Sequence, residues 1–83
     1  MLPQTLDTTR MRKEPENILA NLVDSFIKIR KAKGLSHEQL AQSAGISRSA
    51  VSLIEDKKRI PTITTALKIA HALGKRLSDL LDE

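Results

Sequence analysis

Side chains that donate hydrogen bonds and carry positive charge lie close together in the middle of the chain. Arg48 and Ser49 come just after a glycine, and a run of three cations follows: Lys57, Lys58 and Arg59. A guanidinium holds its donors in a fixed fork that can bond two acceptors at once, and a run of cations attracts a polyanion. The chemistry that these residues offer is therefore binding of an anionic partner.

Candidate catalytic groups are few and scattered. The sequence has no cysteine, and its two histidines, His37 and His71, fall in different predicted helices. It contains neither a Ser, His and Asp set nor a glycine-rich phosphate loop, and Asp82 with Glu83 is typical of a solvated tail. We therefore expect neither an enzyme nor a metal site, and no cofactor.

The binding residues fall within a stretch, HEQLAQSAGISRSAVSLIED, that has the pattern of two short helices crossing at a tight turn. Ala41 is small enough to let the two backbones approach, and Gly45 suits the left-handed conformation that turns the chain. Three branched aliphatic residues are predicted to close the angle from inside: Ile46, Val51 and Ile54. These spacings predict a helix-turn-helix.

Ser47 follows the turn and can cap the second of these helices with its hydroxyl. This helix would keep one set of side chains off the buried stripe and free for another molecule. The members of that set are Arg48, Ser49, Ser52 and Leu53.

The pattern extends over most of the chain, from Phe26 to Leu81. The sequence resembles the helix-turn-helix family of the phage repressors and Cro proteins through IRKAKGLS, AGIS, VSLIE, RIP and ALKIAHALG, in this order and spacing. The resemblance implies an all-α, five-helix, lambda-repressor-like DNA-binding domain with a central helix-turn-helix. It implies this fold and DNA binding, but not the identity of the operator.

Start and stop signals place five helices, with approximate bounds 15–34, 36–44, 47–56, 62–73 and 77–81. Ser36 and Gln39 form a capping box for the second helix. The fourth helix is predicted to carry an apolar stripe formed by Ile63, Leu67, Ala70 and Leu73. Before the fifth helix, Lys75 and Arg76 oppose the helix dipole, and Ser78 could cap a shorter helix instead.

Composition is consistent with a small binding module. The chain has 83 residues, a net charge of +4 and one aromatic residue, Phe26. This length allows one domain, near the lower size at which a single core is sufficient without disulfides or bound metal ions. The scarcity of aromatic residues argues against modules that stack the bases of single-stranded nucleic acid.

The first fourteen residues contain a proline and show no helical period. We therefore divide the chain into a flexible N-terminal arm, residues 1–14, and a helix-turn-helix domain, residues 15–83. Arg10, Arg12 and Lys13 leave open a contact between this arm and DNA. No segment approaches the roughly 18 consecutive apolar residues of a membrane span, and the start lacks the apolar segment of a secretory signal, so we expect a cytoplasmic protein.

Within the resemblance, the third helix enters the major groove and its exposed residues contact base edges: Arg48, Ser49 and Leu53, with Ser52 at the margin. Arg48 could donate two hydrogen bonds to guanine, and Leu53 could meet a thymine methyl group. Phosphate contacts are expected from His37, Gln39, Ser47, Lys57, Lys58 and Arg59. Since family members usually have glycine at the position of Lys57, either the third helix ends differently or Lys57 takes a positive φ.

Arg30 and Glu55 match positions that form an ion pair between the first and third helices of similar repressors. We expect the same pair here, with the remaining donors of Arg30 near a phosphate. A two-fold homodimer on an inverted-repeat operator is also expected, since one helix in one groove reads only a few base pairs. The predicted dimer interface is the apolar edge of the last helix, formed by Leu77, Leu80 and Leu81.

Several functions remain open for such a domain. Our prediction is a transcriptional regulator, and specifically a repressor, that binds double-stranded DNA. The alternative from another class is an adaptor or coactivator of the same fold that binds proteins. Among DNA-binding roles, a phage repressor or Cro-like switch, an antitoxin of a small operon and a restriction-modification controller are all open. An antitoxin would have a toxin as its protein partner.

Overall fold

Five helices follow one another in the computed structural model, which describes residues 15–81. They are α1 (Pro15–Ala32), α2 (His37–Ala44), α3 (Arg48–Glu55), α4 (Ile63–Ala72) and α5 (Leu77–Leu81). No strand is present in the part of the chain that the structure describes. The predicted all-α, five-helix architecture is confirmed, while the N-terminal arm and the last two residues lie outside the described residues.

Three helices start at the hydroxyl caps that their sequences offer. The Ser36 hydroxyl accepts a hydrogen bond from the Gln39 amide at 3.0 Å, and the Gln39 side chain accepts one from the Ser36 amide at 2.8 Å, which completes the predicted capping box. The Ser47 hydroxyl caps α3 by accepting from the Ala50 backbone amide, and the Thr62 hydroxyl caps α4 by accepting from the Thr65 backbone amide. Each such cap stabilises a helix by about 1 kcal/mol.

The turn between α2 and α3 takes the conformation that glycine favours. Gly45 has a φ of 73°, in the left-handed region. The amide of the next residue, Ile46, donates to the Ala41 carbonyl at 3.0 Å, so the chain folds back on the end of α2. This turn sets the angle between the two helices of the motif.

The core lies where these helices cross. Helix α2 packs against both α3 and α4, while α1 supports α3 and α5. Phe26, the single aromatic residue of the sequence, is 1% exposed and belongs to this core. The other buried apolar residues are Leu22, Val23, Leu40, Ala41, Ala44, Val51, Ile54, Ala66, Ile69, Ala70, Leu73 and Leu80.

The predicted stripe on α4 is wrong at two of its four positions. Ile63 and Leu67 are 71% and 49% exposed, whereas Ala66 and Ile69 are buried in their place. Apolar residues occupy most of the circumference of α4, so their spacing fits more than one face. Alanine lets α2 and α4 approach more closely than leucine would, which favours the observed face.

Helix α5 begins at Leu77 and is preceded by Arg76. The Arg76 guanidinium donates to Asp79 at 3.3 Å, and the Asp79 amide donates back to the Arg76 carbonyl at 3.0 Å. Asp79 thus supplies the negative charge that the helix start favours. The alternative cap at Ser78 is wrong, because Ser78 lies inside the helix.

Candidate nucleic-acid interface

Helix α3 has one buried side and one accessible side. Val51 and Ile54 are 1% and 2% exposed and hold the helix on the core. Arg48 and Ser49 are exposed in its first turn, and Ser52 and Leu53 are half-buried farther along. The four predicted base-contact residues therefore share the side that faces away from the core, with the two exposed ones at the start of the helix.

An ion pair fixes α3 to α1. Arg30 Nε donates to Glu55 Oε2 at 2.7 Å and Arg30 Nη2 donates to Oε1 at 3.0 Å, a two-bond arrangement of the kind that arginine forms with carboxylates. Arg30 Nη1 donates to the Leu35 carbonyl at 2.7 Å. The Arg30 side chain is only 11% exposed, and a contact between its remaining donors and a phosphate stays a prediction.

His37 joins the same carboxylate from α2. Its Nε2 lies 2.9 Å from Glu55 Oε1, and its Nδ1 lies 3.1 Å from the Ser52 hydroxyl. Both ring nitrogens are therefore engaged inside the protein, although we expected His37 to contact phosphate. The sequence gives no periodic signal for these contacts, because the partners are 15 and 18 residues away and on another helix.

Glu55, on α3, forms hydrogen bonds with both α1 and α2. Burial raises the pKa of its carboxyl group, but the hydrogen bonds from Arg30 and His37, together with the positive charge of Arg30, outweigh burial and hold the pKa below its ordinary value. The carboxylate is thus ionised at neutral pH. A charged, fully bonded Glu55 keeps α3 in one orientation relative to α1 and α2.

The three cations after α3 differ in their surroundings. Lys57 has a φ of 63°, the second of the two outcomes that we predicted, and its Nζ donates to Asp24 Oδ1 on α1 at 2.7 Å. Lys58 and Arg59 are exposed and have no side-chain partner within residues 15–81. Their amides donate to the Leu53 carbonyl, so the backbone of this loop is held against the end of α3.

The starts of α2 and α3 lie side by side. A shallow depression between them is lined by Arg30, Ser36, His37, Glu38 and Arg48. Gln39 uses its side-chain oxygen in the capping box and Ser47 uses its oxygen as a cap, which leaves the Gln39 amide hydrogens and the Ser47 hydroxyl hydrogen for other acceptors. These donors, with the backbone amides of the helix start, suit an anionic oxygen.

The three leucines of α5 differ in accessibility. Leu80 is 7% exposed and belongs to the core, and Leu77 is half-buried against it. Leu81 is 42% exposed. Of these three leucines, only Leu81 therefore offers substantial apolar surface to a second chain.

Comparison with known proteins places this arrangement in a family. A family model described as helix-turn-helix matches residues 26–80, more than half of the chain. The chain belongs to this helix-turn-helix family. The predicted resemblance to the phage repressors and Cro proteins is confirmed, and α3 corresponds to the recognition helix of the motif.

Relatives in the family differ in how much of their length is matched. The transcriptional regulator PuuR of Escherichia coli (strain K12) is 38% identical over 55 residues, which cover 66% of this chain but only 30% of PuuR. The control protein C.SmaI of Serratia marcescens is 36% identical over 66 residues, covering 80% of this chain and 75% of C.SmaI. The crystal structure of the restriction-modification controller protein C.AhdI from Aeromonas hydrophila superposes with a TM-score of 0.69 at 35% identity, covering 75% of this chain and 94% of that one.

Two further properties concern only residues 15–81. No helix among them is long and apolar enough to cross a membrane. Over the same range, no group of three or more His, Asp or Glu side chains could hold a metal ion.

Proposed function

We propose that the protein is a cytoplasmic regulator of transcription that recognises a specific sequence in double-stranded DNA by inserting α3 into the major groove. The observation that carries the proposal is the exposed first turn of α3, with Arg48 and Ser49, on a helix that the Arg30 to Glu55 ion pair holds rigidly. The major groove of B-DNA admits an α-helix and displays a distinct hydrogen-bond pattern for each base pair.

Each side chain of the accessible side has a role that follows from its chemistry. Arg48 donates two hydrogen bonds to O6 and N7 of a guanine, and Ser49 and Ser52 bond to polar base edges. Leu53 packs against the methyl group of a thymine. Since Leu53 is half-buried, it reaches only a base edge that lies close to the helix.

In the proposed complex, phosphate contacts lie at both ends of the base-contact residues of α3. Lys58 and Arg59 extend from a fixed loop at one end of α3 without a side-chain partner in the described chain. Gln39 and Ser47 supply donors at the other end. Lys57 and His37 contribute less than the sequence predicted, because each is already paired within the protein.

We further propose that two copies bind an inverted-repeat operator as a homodimer. Two recognition helices about 34 Å apart would enter successive major grooves on one side of the duplex. The exposed edge of α5 at Leu81 is the part of the predicted interface that supports this arrangement. Leu77 and Leu80 would act by holding α5 in place.

Control of a restriction-modification operon is the more specific candidate role. C.AhdI is named as a restriction-modification controller protein and C.SmaI as a control protein, and each match extends over three quarters or more of that protein's own length. The alternative role is that of an antitoxin. We predict that an antitoxin would repress an operon that also encodes its toxin partner. The two roles differ in which genes follow the operator.

Selection of bound sequences from a random pool of duplexes tests the proposal. We expect the selected sequence to be an inverted repeat with at least one guanine in each half-site. The genomic site that matches it best should lie upstream of the operon that the protein controls. If no duplex is enriched, the regulator proposal fails.

Salt dependence separates the proposal from the adaptor alternative. Each phosphate neutralised contributes about 0.9 to the slope of log affinity against log salt, so binding to the selected duplex should weaken steeply as salt rises. A scrambled duplex serves as the control for non-specific binding. A tight protein complex that is insensitive to salt, with no affinity for any duplex, would favour the adaptor.

A further inference from the structure

The contacts of His37 determine which of its ring nitrogens carries hydrogen. Glu55 is ionised and accepts three hydrogen bonds, two from Arg30 and one from His37 Nε2. A carboxylate can only accept, so Nε2 carries a hydrogen atom whether the ring is neutral or charged. The protonation state of the ring is therefore decided at Nδ1.

The state of Nδ1 determines the direction of the hydrogen bond to Ser52. When the ring is neutral, Nδ1 is an acceptor, and the Ser52 hydroxyl must donate its only hydrogen atom to it across the 3.1 Å contact. When the ring takes up one proton from solvent, Nδ1 becomes a donor and the Ser52 oxygen accepts. The hydroxyl hydrogen of Ser52 is then free to bond elsewhere.

Ser52 is half-buried, on the same side of α3 as Arg48 and Ser49. Its hydroxyl can therefore meet both His37 and a group outside the protein. With a neutral ring, it offers that group only lone pairs. With a charged ring, it offers a hydrogen atom.

We propose that the proton on His37 sets the hydrogen-bond character that Ser52 presents to the major groove, so that the base preference at one pair of the operator depends on pH. This inference rests on the proposed function, in which α3 lies in that groove. With neutral His37, Ser52 accepts from an exocyclic amino group, N6 of adenine or N4 of cytosine. With charged His37, Ser52 donates to O6 or N7 of guanine or to O4 of thymine.

Charged groups from three helices surround the ring. Glu55 on α3 attracts the imidazolium, and Glu38 on α2 itself lies at the same depression. Arg30 from α1 and Arg48 from α3 line that depression and oppose the added charge. In the described part of the chain, no charged group of α4 forms a hydrogen bond or an ion pair with the ring.

The test begins by locating the base pair that Ser52 reads. Duplex variants of the selected operator are compared for the wild type and Ser52→Ala at about pH 8, where an ordinary imidazole is neutral. We expect the variant to lose preference at one pair in each half-site. If Ser52→Ala changes preference at no pair, the proposal is overturned.

The second step measures how that preference changes with acid. Two operators that differ only at this pair are compared at about pH 8 and about pH 5.5. On acidification one operator gains a hydrogen bond with Ser52 and the other loses one, so the ratio of their two affinities should change by about threefold to tenfold. Two variants serve as comparisons. In His37→Gln, the amide nitrogen can donate to Glu55 and the amide oxygen can accept from Ser52, so the pattern of the neutral ring is kept at both pH values.

His71→Gln is the matched control, because His71 is the other histidine of the chain and is exposed on α4. We expect this variant to keep the full pH-dependent change and His37→Gln to abolish it. A ratio that is the same at both pH values in the wild type, with DNA binding intact, overturns the inference and leaves the proposed function standing. Failure to bind any duplex at either pH overturns both.

A measurement on the free protein tests the hydrogen-bond pattern without DNA. The nitrogen chemical shifts of the His37 ring should show hydrogen on Nε2 alone when the ring is neutral and on both nitrogens after protonation. A ring with its hydrogen on Nδ1 in the neutral state would contradict the pattern on which the inference depends.

Discussion

At the scale of single residues, the arrangement depends most on Glu55. Its carboxylate accepts hydrogen bonds from α1 and α2 while it belongs to α3, and its side chain is only 9% exposed. Removing the charge would leave the nearly buried guanidinium of Arg30 without its counter-ion, which costs more than the loss of an exposed pair. The position of the recognition helix therefore depends on one carboxylate.

We expect Glu55→Gln to lower the free energy of unfolding by about 2 kcal/mol at neutral pH, because three charge-assisted hydrogen bonds are weakened or lost. Urea denaturation followed by circular dichroism measures the change. Asp24→Asn is the control, since it breaks the exposed pair with Lys57, which should contribute no more than about 1 kcal/mol. Equal effects of the two substitutions would contradict the central role of Glu55.

The same residue predicts how stability depends on pH. Because folding lowers the pKa of Glu55, its contribution is fully present above the unfolded value, near 4.5, and is lost as the pH falls through the lower value of the folded state. The gap between the unfolding free energies of the wild type and Glu55→Gln should therefore narrow as the pH falls below about 4.5. A gap that stays constant down to about pH 3 would show that ionisation of Glu55 does not stabilise the fold.

Sequence reasoning identified only part of this network. The positions of Arg30 and Glu55 follow from the resemblance to similar repressors, and the structure joins them. For the third partner, His37, the sequence instead predicts a phosphate contact, because a place at the start of a helix indicates an anion site equally well. Contacts between helices depend on side-chain direction, which local patterns do not encode.

At the scale of helices and turns, two residues with positive φ position α3. Gly45 precedes the helix at 73°, and Lys57 follows it at 63°. The left-handed region costs a residue with a β-carbon about 1 to 2 kcal/mol. Glycine avoids that cost at the first position, and lysine accepts it at the second.

Gly45→Ala should lower the free energy of unfolding by about 1 to 2 kcal/mol while the protein keeps its helix content. An added β-carbon would meet nothing within 4 Å, so the cost comes from the backbone conformation alone. Ser43→Ala, at an exposed position of α2, is the control and should leave stability nearly unchanged. A loss of helix content in Gly45→Ala would indicate a clash that the structure does not show.

Lys57→Gly should raise the free energy of unfolding by about 0.5 to 1 kcal/mol, because relief of the positive φ outweighs the loss of the exposed pair with Asp24. Lys58→Gly is the matched control, since Lys58 has no positive φ and glycine there only adds freedom to the unfolded chain. Thermal denaturation of both variants checks the difference. If Lys57→Gly is the less stable of the two, the strain at Lys57 is not significant.

Helix bounds were easier to predict than helix faces. Caps and turn glycines act locally, so Ser36, Ser47 and Gly45 indicated where helices start and end. The face of α4 was predicted less well, because Ala66 and Ile69 alternate with Ile63 and Leu67 around the helix. The choice between those faces depends on the close approach of α2, which is a tertiary effect.

At the scale of the whole molecule, two apolar surfaces within residues 15–81 are open to a second copy of the chain. One is the edge of α5 at Leu81, which is the interface that we propose. The other is the outer face at the start of α4, where Ile60, Ile63 and Leu67 are exposed. Dimers formed through these two surfaces would place the two recognition helices differently.

The stoichiometry on the selected operator distinguishes the two surfaces. Leu81→Lys should reduce binding of the second copy by at least about tenfold, because the new charge would be buried at the interface. Ile63→Lys, an equivalent change on the other surface, should leave the stoichiometry at two. Sedimentation of the protein with its duplex measures both, and the opposite pattern would move the interface to α4.

The central claim is that α3 reads base sequence through Arg48 while Lys58 binds phosphate. The most direct test is the ratio of affinities for the selected operator and a scrambled duplex, measured for the wild type, Arg48→Ala and Lys58→Ala. Arg48→Ala should lower this ratio by an amount equivalent to about 1 to 3 kcal/mol, whereas Lys58→Ala should weaken both complexes alike and keep the ratio. An Arg48→Ala protein with the full ratio of the wild type would contradict the claim.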